Sequence, residues 1–243
     1  MPQTSVRLLL IVLSLAAAPA GTLGARGPSA VRPMPVPPAA RTTAGAAAAW
    51  NISSVGTIDA DVLELALNAA SCAVRSGDVA DLSTLTVIDY SRPSTEKRLW
   101  VFDLRSRELA YEEVVAHGQG SGGNLATRFS NEPETHATSL GLFVTAETYV
   151  GRNGYSLRLE GLDRGFNDRA RDRAIVMHGA PYVDPELARA QGRLGRSWGC
   201  PALRDAVARD VIDLVKGGGL VFAYYPDREW LSASKYLGDC PAG

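Results

Sequence analysis

The feature that most limits the fold is a succession of short β-prone runs between residues 85 and 225, each closed by a turn signal. Leu85–Tyr90, Leu99–Leu104 and Leu109–Ala116 open the series; Gly141–Thr145, Tyr155–Leu159, Ala174–His178 and Leu220–Tyr225 continue it. Runs of this length, rich in aliphatic and aromatic residues, predict strands. Arg105–Glu108 and Gly151–Gly154 have the composition of hairpin turns. A regular strand–helix alternation is absent, which excludes a Rossmann-type parallel sheet. The pattern predicts a mainly β fold, a sandwich or barrel with a few short helices.

Two segments have helical periodicity instead. In Ile58–Arg75, Leu63, Leu67, Ala70 and Val74 recur at helical spacing, and Gly77 supplies a stop. Asp59 and Asp61 suit its first turn, where the helix dipole favours negative charge. Pro201–Lys216 carries Val207, Val211, Leu214 and Val215 and ends at Gly217-Gly218-Gly219.

The first 20 residues predict an address rather than structure. Arg7 precedes an apolar run, Leu8–Ala18, and Ala18-Pro19-Ala20 is an A-x-A site. This is the pattern of a secretory signal cleaved after Ala20, with Ala25 as the second choice. The run is short for a bilayer core of roughly 30 Å, and no later segment is apolar enough to span one. Residues 21–57 predict a disordered linker, since 13 of the 24 residues from Arg26 to Ala49 are Pro or Ala and bury too little surface to offset their ordering entropy. Residues 58–243 remain as the folded domain. The expected location is outside the cytoplasm, periplasmic or extracellular.

Charge narrows the partners. Four arginines and no acid precede Asp59, so the remainder holds 21 basic and 26 acidic residues, a net charge of −5. Nucleic acid is not expected to bind so acidic a domain. Three cysteines in an exported chain leave one unpaired. Cys72, in the first helix, and Cys240, near the end, lack catalytic-looking neighbours and are expected to pair. That bridge would close nearly the whole domain, worth about 4–5 kcal/mol in the chain-entropy model.

Cys200 is then the free thiol, in the small-residue turn Gly195-Arg196-Ser197-Trp198-Gly199-Cys200-Pro201. A cysteine nucleophile needs a base, a group that orients the base, and donors for a developing oxyanion. His178 ends a strand-like run and faces a loop, where a rigid scaffold can present a side chain. Gly199 before the thiol frees the backbone for close approach and for converging N–H groups. His117, near Ser121 and Gly123, and His136 are candidates for the cleft wall. The three histidines show no H-E-x-x-H spacing, so a metal is not expected.

His178-Gly179, a spacer of about twenty residues, then Ser197-Trp198-Gly199-Cys200 resembles the active-site motif of the YkuD-type L,D-transpeptidases. Val115–Gly118, Phe129–Asn131, Thr138–Gly141, Tyr155–Leu162, Phe166–Asp168 and Arg173–Ala180 resemble the murein L,D-transpeptidase catalytic domain subfamily, in order and with matching spacing over about residues 85–226. The resemblance implies a catalytic domain that acts on peptidoglycan stem peptides at the cell wall without an organic cofactor, and that carbapenems acylate. It implies Cys200 as nucleophile, His178 as base, and the Gly179 carbonyl as the group that orients the imidazole. The Gly199 and Cys200 N–H groups would receive the oxyanion, and Ser197, Trp198, His117 and Ser139 would contribute to substrate binding. The chain departs from the family pattern at Trp198, where a His is usual, and after Cys200, where Pro201 and Ala202 stand and an Arg two residues on is missing. Arg196 is the nearest candidate to anchor a substrate carboxylate.

Two other readings use the same residues. A cysteine hydrolase would pass the acyl group to water and act as an L,D-carboxypeptidase or endopeptidase. A wall-binding module would have lost the chemistry; the presence of both Cys200 and His178 argues against it. A papain-like protease fits poorly, because there the Cys precedes its His.

Overall fold

The computed structural model describes residues 55–238 and residue 240, so the expected signal segment and almost all of the linker lie outside it. Eight strands form: β1 (Thr84–Asp89), β2 (Leu99–Asp103), β3 (Glu108–Glu113), β4 (Gly141–Gly151), β5 (Gly154–Gly161), β6 (Val176–Gly179), β7 (Ala202–Leu203) and β8 (Leu220–Tyr224). They make one mixed sheet in the order β3-β2-β1-β8-β4-β5-β6-β7. The two ends of that order meet. Ala116, just past β3, donates its N–H to the Ala202 carbonyl of β7 at 2.9 Å, and Gly118 bridges to Ser197. The sheet is therefore a nearly closed barrel, which decides between the two expected β architectures.

The expected strands are present with shifted ends. β6 starts at Val176 rather than Ala174, because Ala174 sits at φ 52°, which no strand accommodates. β4 runs on to Gly151 instead of stopping at Thr145; its extension pairs with β5 past a bulge and is half exposed, so it lacks an apolar signature. The expected helix over 201–216 is corrected. Ala202–Leu203 pair with β6 as β7, and the helix begins only at Asp205. Two short helices, Pro185–Gln191 and Arg228–Ala233, were not foreseen. In chain order the helices are α1 (Ala60–Arg75), α2 (Pro185–Gln191), α3 (Asp205–Val215) and α4 (Arg228–Ala233).

Helix α1 forms where the periodicity places it. The Asp59 carboxylate accepts from the Asp61 and Val62 N–H groups, satisfying donors the helix leaves open. Its buried face, including Val62, Ala66, Leu67 and Ala70, lies on β1 and β8. Beneath it Leu85, Trp100, Phe102, Phe222, Tyr224 and Trp230 are almost completely buried. Each large side chain of this kind contributes about 1.5–3 kcal/mol. Cys72 on α1 is joined to Cys240 by a disulfide, and Cys200 is free. A second, smaller apolar cluster lies where the barrel edges meet. Val114, Ala116, Ala180, Val183, Ala188, Leu194 and Ala202 are buried there, the last of them two residues after Cys200. No helix among the described residues is long and apolar enough to cross a membrane.

Candidate active site

The edge of the barrel at β6 and β7 sets the two reactive side chains. These strands run parallel, with His178 opposite Ala202 and Gly179 opposite Leu203. Carried two residues back, the same register sets Val176 beside Cys200, and the Val176 N–H donates to the Cys200 sulfur at 3.4 Å. His178 Nδ1 lies 2.7 Å from the Gly179 carbonyl oxygen. That oxygen can only accept, so Nδ1 carries the proton and Nε2 keeps a lone pair. The thiol makes its other contact with the Ala174 carbonyl at 3.8 Å, and among the described residues no hydrogen bond joins it to His178. Burial pushes the thiol above its ordinary pKa, opposed by the Val176 N–H and the Arg173 charge. Burial also pushes His178 below the usual histidine range, opposed by its bond to Gly179 and by Asp205. At neutral pH the pair is thus a neutral thiol beside a neutral imidazole, rather than a preformed ion pair.

The nucleophile's loop is held by backbone packed on backbone. Gly199 has φ 113°, a conformation that favours glycine. A Cβ on Gly118 would sit 2.2 Å from the His136 carbonyl and 2.8 Å from Gly199 Cα, so the 117–118 segment lies directly against the nucleophile's turn. Thr138 stitches the pieces together: its Oγ1 accepts from Gly118 N–H at 2.9 Å and donates to the Gly199 carbonyl at 3.2 Å. Ser197 Oγ donates to the Cys200 carbonyl at 2.6 Å and accepts from the Gly199 N–H at 3.2 Å. The second contact corrects the oxyanion expectation. The Gly199 N–H is already engaged inside its own turn, whereas the Cys200 N–H lies close enough to favour the thiolate and makes no hydrogen bond to another described residue.

The remaining sequence candidates fall in different places. Trp198 is 64% exposed and stacks on His136, with ring centroids 4.7 Å apart and planes 8° from parallel. His117 is corrected. It is completely buried and does not line the cleft. Its Nδ1 accepts from Arg98, itself completely buried, at 2.8 Å. Burial, then the Arg98 charge, lower the His117 pKa to about 4. Ser139 is also buried, donating to the Ser130 carbonyl and accepting from Arg173. Arg196 donates to the Gly122 carbonyl at 2.8 Å and is not among the residues around the open cavity beside Trp198.

Arg173 is, and sequence reasoning missed it. So it missed Arg98, which lies over the Tyr90 ring at 5.2 Å and donates to the Val115 and Arg92 carbonyls beneath the site. An arginine ahead of an apolar run carries no signal that distinguishes it from a solvated one. The usable hint was position: Arg173 opens the segment that ends on His178. Among the described residues no group of three or more His, Cys, Asp or Glu side chains is placed to hold a metal ion.

The barrel carries a free cysteine and a histidine at one edge, and comparison with known proteins assigns the family. The L,D-transpeptidase catalytic domain of the YkuD type matches residues 55–224, and the chain belongs to that family. Among solved structures, it is similar to an L,D-transpeptidase from Mycobacterium smegmatis, with 15% identity, 59% of each chain covered and a TM-score of 0.36. The structure of the L,D-transpeptidase LdtMt1 in complex with imipenem is similar at 15% identity, over 58% of this chain and 59% of that one, TM-score 0.36. An L,D-transpeptidase from Stackebrandtia nassauensis matches at 14% identity over 74% of each chain, TM-score 0.36. The chain spans about three fifths of the first of these structures. No curated protein sequence matches it.

Proposed function

We propose that the domain is an exported peptidoglycan L,D-transpeptidase with Cys200 as nucleophile and His178 as base. The observation that carries this reading is the β6–β7 edge. It holds an imidazole on β6, its Nδ1 fixed by Gly179, and a free thiol in the turn just before β7, in a barrel whose family is that of the L,D-transpeptidase catalytic domains.

The reaction follows from the protonation states. The thiol turns from the Ala174 carbonyl towards Nε2 of His178 and gives up its proton as the sulfur attacks. The carbonyl attacked links the L-centre of the stem's diamino acid to the terminal D-alanine. The Cys200 N–H receives the oxyanion that forms. Collapse breaks the C–N bond; D-alanine leaves as an amine, taking the proton from His178. A thioester remains on Cys200. The amine of a second stem then attacks the thioester, loses its proton through His178 to the departing thiolate, and the cross-linked product leaves. The exposed Trp198 ring is assigned to the substrate side, Ser197 holds the turn through Gly199 and Cys200, and Arg196 supports the loop through Gly122.

Tetrapeptide-rich sacculi incubated with the wild type and with Cys200→Ala, then digested and analysed by mass spectrometry, test the reading. New cross-linked dimers made only by the wild type support it. Tripeptides without dimers would transfer the acyl group to water and replace it with the hydrolase reading. Unchanged muropeptides with both proteins would overturn it.

A further inference from the structure

Beside Trp198 opens a cavity of about 670 Å³, walled by Pro133, Glu134, His136, Asp172, Arg173 and Trp198. Three observations single it out. The first is charge. Eleven ion pairs occur among the described residues, yet Arg173, Glu134 and Asp172 are in none of them. The second is fixation. Arg173 is half-buried, and its Nη1 and Nη2 donate to the Ser130 and Ala137 carbonyls and to Ser139 Oγ, at 2.5–2.6 Å. A contact to Thr135 Oγ1 at 3.5 Å completes the set. The guanidinium is thus held in one place, its Nε–H has no acceptor among the described residues, and it makes no ion pair: the Glu132 charge acts on it only from a distance, that carboxylate being paired with Arg169. The third is strain. Of the four non-glycine residues with positive φ among the described residues, two line this cavity, Glu134 at 57° and His136 at 51°, and a third, Ala174 at 52°, follows Arg173 in the chain. Such conformations cost free energy and persist where the surroundings enforce them, most often around functional sites.

The arrangement has a polarity. A fixed cation, two carboxylates in no ion pair and a stacked Trp–His shelf line the same cavity. The geometry points to a pocket for a dipolar amino-acid head group, one carbon bearing both carboxylate and ammonium, at the end of a hydrocarbon arm of the substrate. The carboxylate pairs with Arg173, the ammonium with Glu134 and Asp172, and the arm lies on Trp198. This rests on the peptidoglycan reading, because it assigns the pocket to the side-chain end of the stem's diamino acid. Arg173 also reaches the reaction centre: its charge favours the Cys200 thiolate. A pocket that binds the head group therefore also sets the distance from that group to the sulfur. An arm ending in ammonium alone would leave Arg173 unpaired and bind less well.

The test is a binding cycle on the chain carrying Cys200→Ala, which removes turnover from the measurement. Three stem tetrapeptides are titrated by calorimetry: one whose side-chain end carries amine and carboxylate, one with that carboxylate amidated, and one ending in an amine alone. The free head group is expected to bind tenfold or more tighter than either other form. Adding Arg173→Gln should reduce that preference to less than twofold, and Trp198→Ala should weaken all three peptides alike. An amidation penalty that is absent with Arg173 present, or that survives Arg173→Gln, overturns the proposal. If Arg173→Gln does not fold, Glu134→Gln at the exposed rim decides. It must reduce the preference for a free over an acetylated side-chain amine by threefold or more, and an unchanged preference overturns the proposal. Wild-type turnover of the same peptides separates the two readings. Dimers without the binding preference leave the transpeptidase and remove the pocket; the preference without any acyl transfer does the reverse.

Discussion

The β1–β2–β8 side of the barrel and the β6–β7 edge are built by different means. On the first, stability comes from side chains: Trp100, Phe102, Phe222 and Trp230 are buried under α1, and the helix is tied to Cys240. On the second, a strand of four residues holds His178 and the turn before a strand of two holds Cys200. Position is set there by backbone lying on backbone, by positive φ at Gly199 and Ala174, and by buried polar groups such as Thr138 and Arg98. One side resists unfolding; the other spends stability on holding a thiol, an imidazole and a guanidinium in fixed places.

If the division is right, the largest effect comes from a change that leaves the first side alone. Cys200→Ala should reduce acyl transfer by at least about 10⁴-fold while shifting stability by no more than about 1 kcal/mol. Muropeptide assays and thermal denaturation of the same preparation check both halves. Reduction of the Cys72–Cys240 bridge acts on the opposite side. Its ends are separated by 168 residues, and opening a loop of that length costs about 5 kcal/mol in the chain-entropy model. Denaturant titration with and without reductant should show that loss, with the folded fraction keeping its turnover.

A smaller effect tests the polar underside of the edge. His117 in the fold has a pKa of about 4, below the ordinary value near 6.5 of an unfolded chain. Above pH 6.5 both states are neutral there and its contribution is intact. As pH falls from 6.5 to 4 the unfolded state alone takes up the proton, and stability drops by on the order of 3 kcal/mol. His117→Gln, which can still accept from Arg98, should flatten that part of the pH–stability curve relative to wild type. The smallest effect is kinetic. Because burial lowers the His178 pKa, kcat/KM should stay level as pH falls to 6.5 and decline only below it. A decline centred above 6.5 would mean that the imidazole is not held neutral as described.

The same contrast explains what the sequence made legible. Continuous apolar runs such as Leu99–Phe102 and Leu220–Tyr224 announce buried strands, and Asp59 ahead of a periodic segment announces α1. Cys200, His178 and Gly179 stand out as candidates because their chemistry is bound to a short motif. β7 was not: two residues after a proline resemble a helix start, and only the pairing partner, far away in sequence, makes them a strand. His117 reads as a cleft residue until Arg98, 19 positions earlier, closes over it. Arg196 lies closer to Cys200 in sequence than Arg173, yet the turn directs it to Gly122. Arg173 lines the cavity, and the residue after it, Ala174, has positive φ. Long-range closure and left-handed backbone leave little trace in local pattern.

The central claim is that Cys200 carries the acyl group. The most direct measurement is the intact mass of the full chain after brief mixing with a stem tetrapeptide and acid quench, followed by tandem mass spectrometry of the modified peptide. The account predicts a mass increase equal to the tetrapeptide less D-alanine, placed on Cys200 and absent from Cys200→Ala. Turnover with no such adduct on any time scale, or the adduct on another residue, would contradict it.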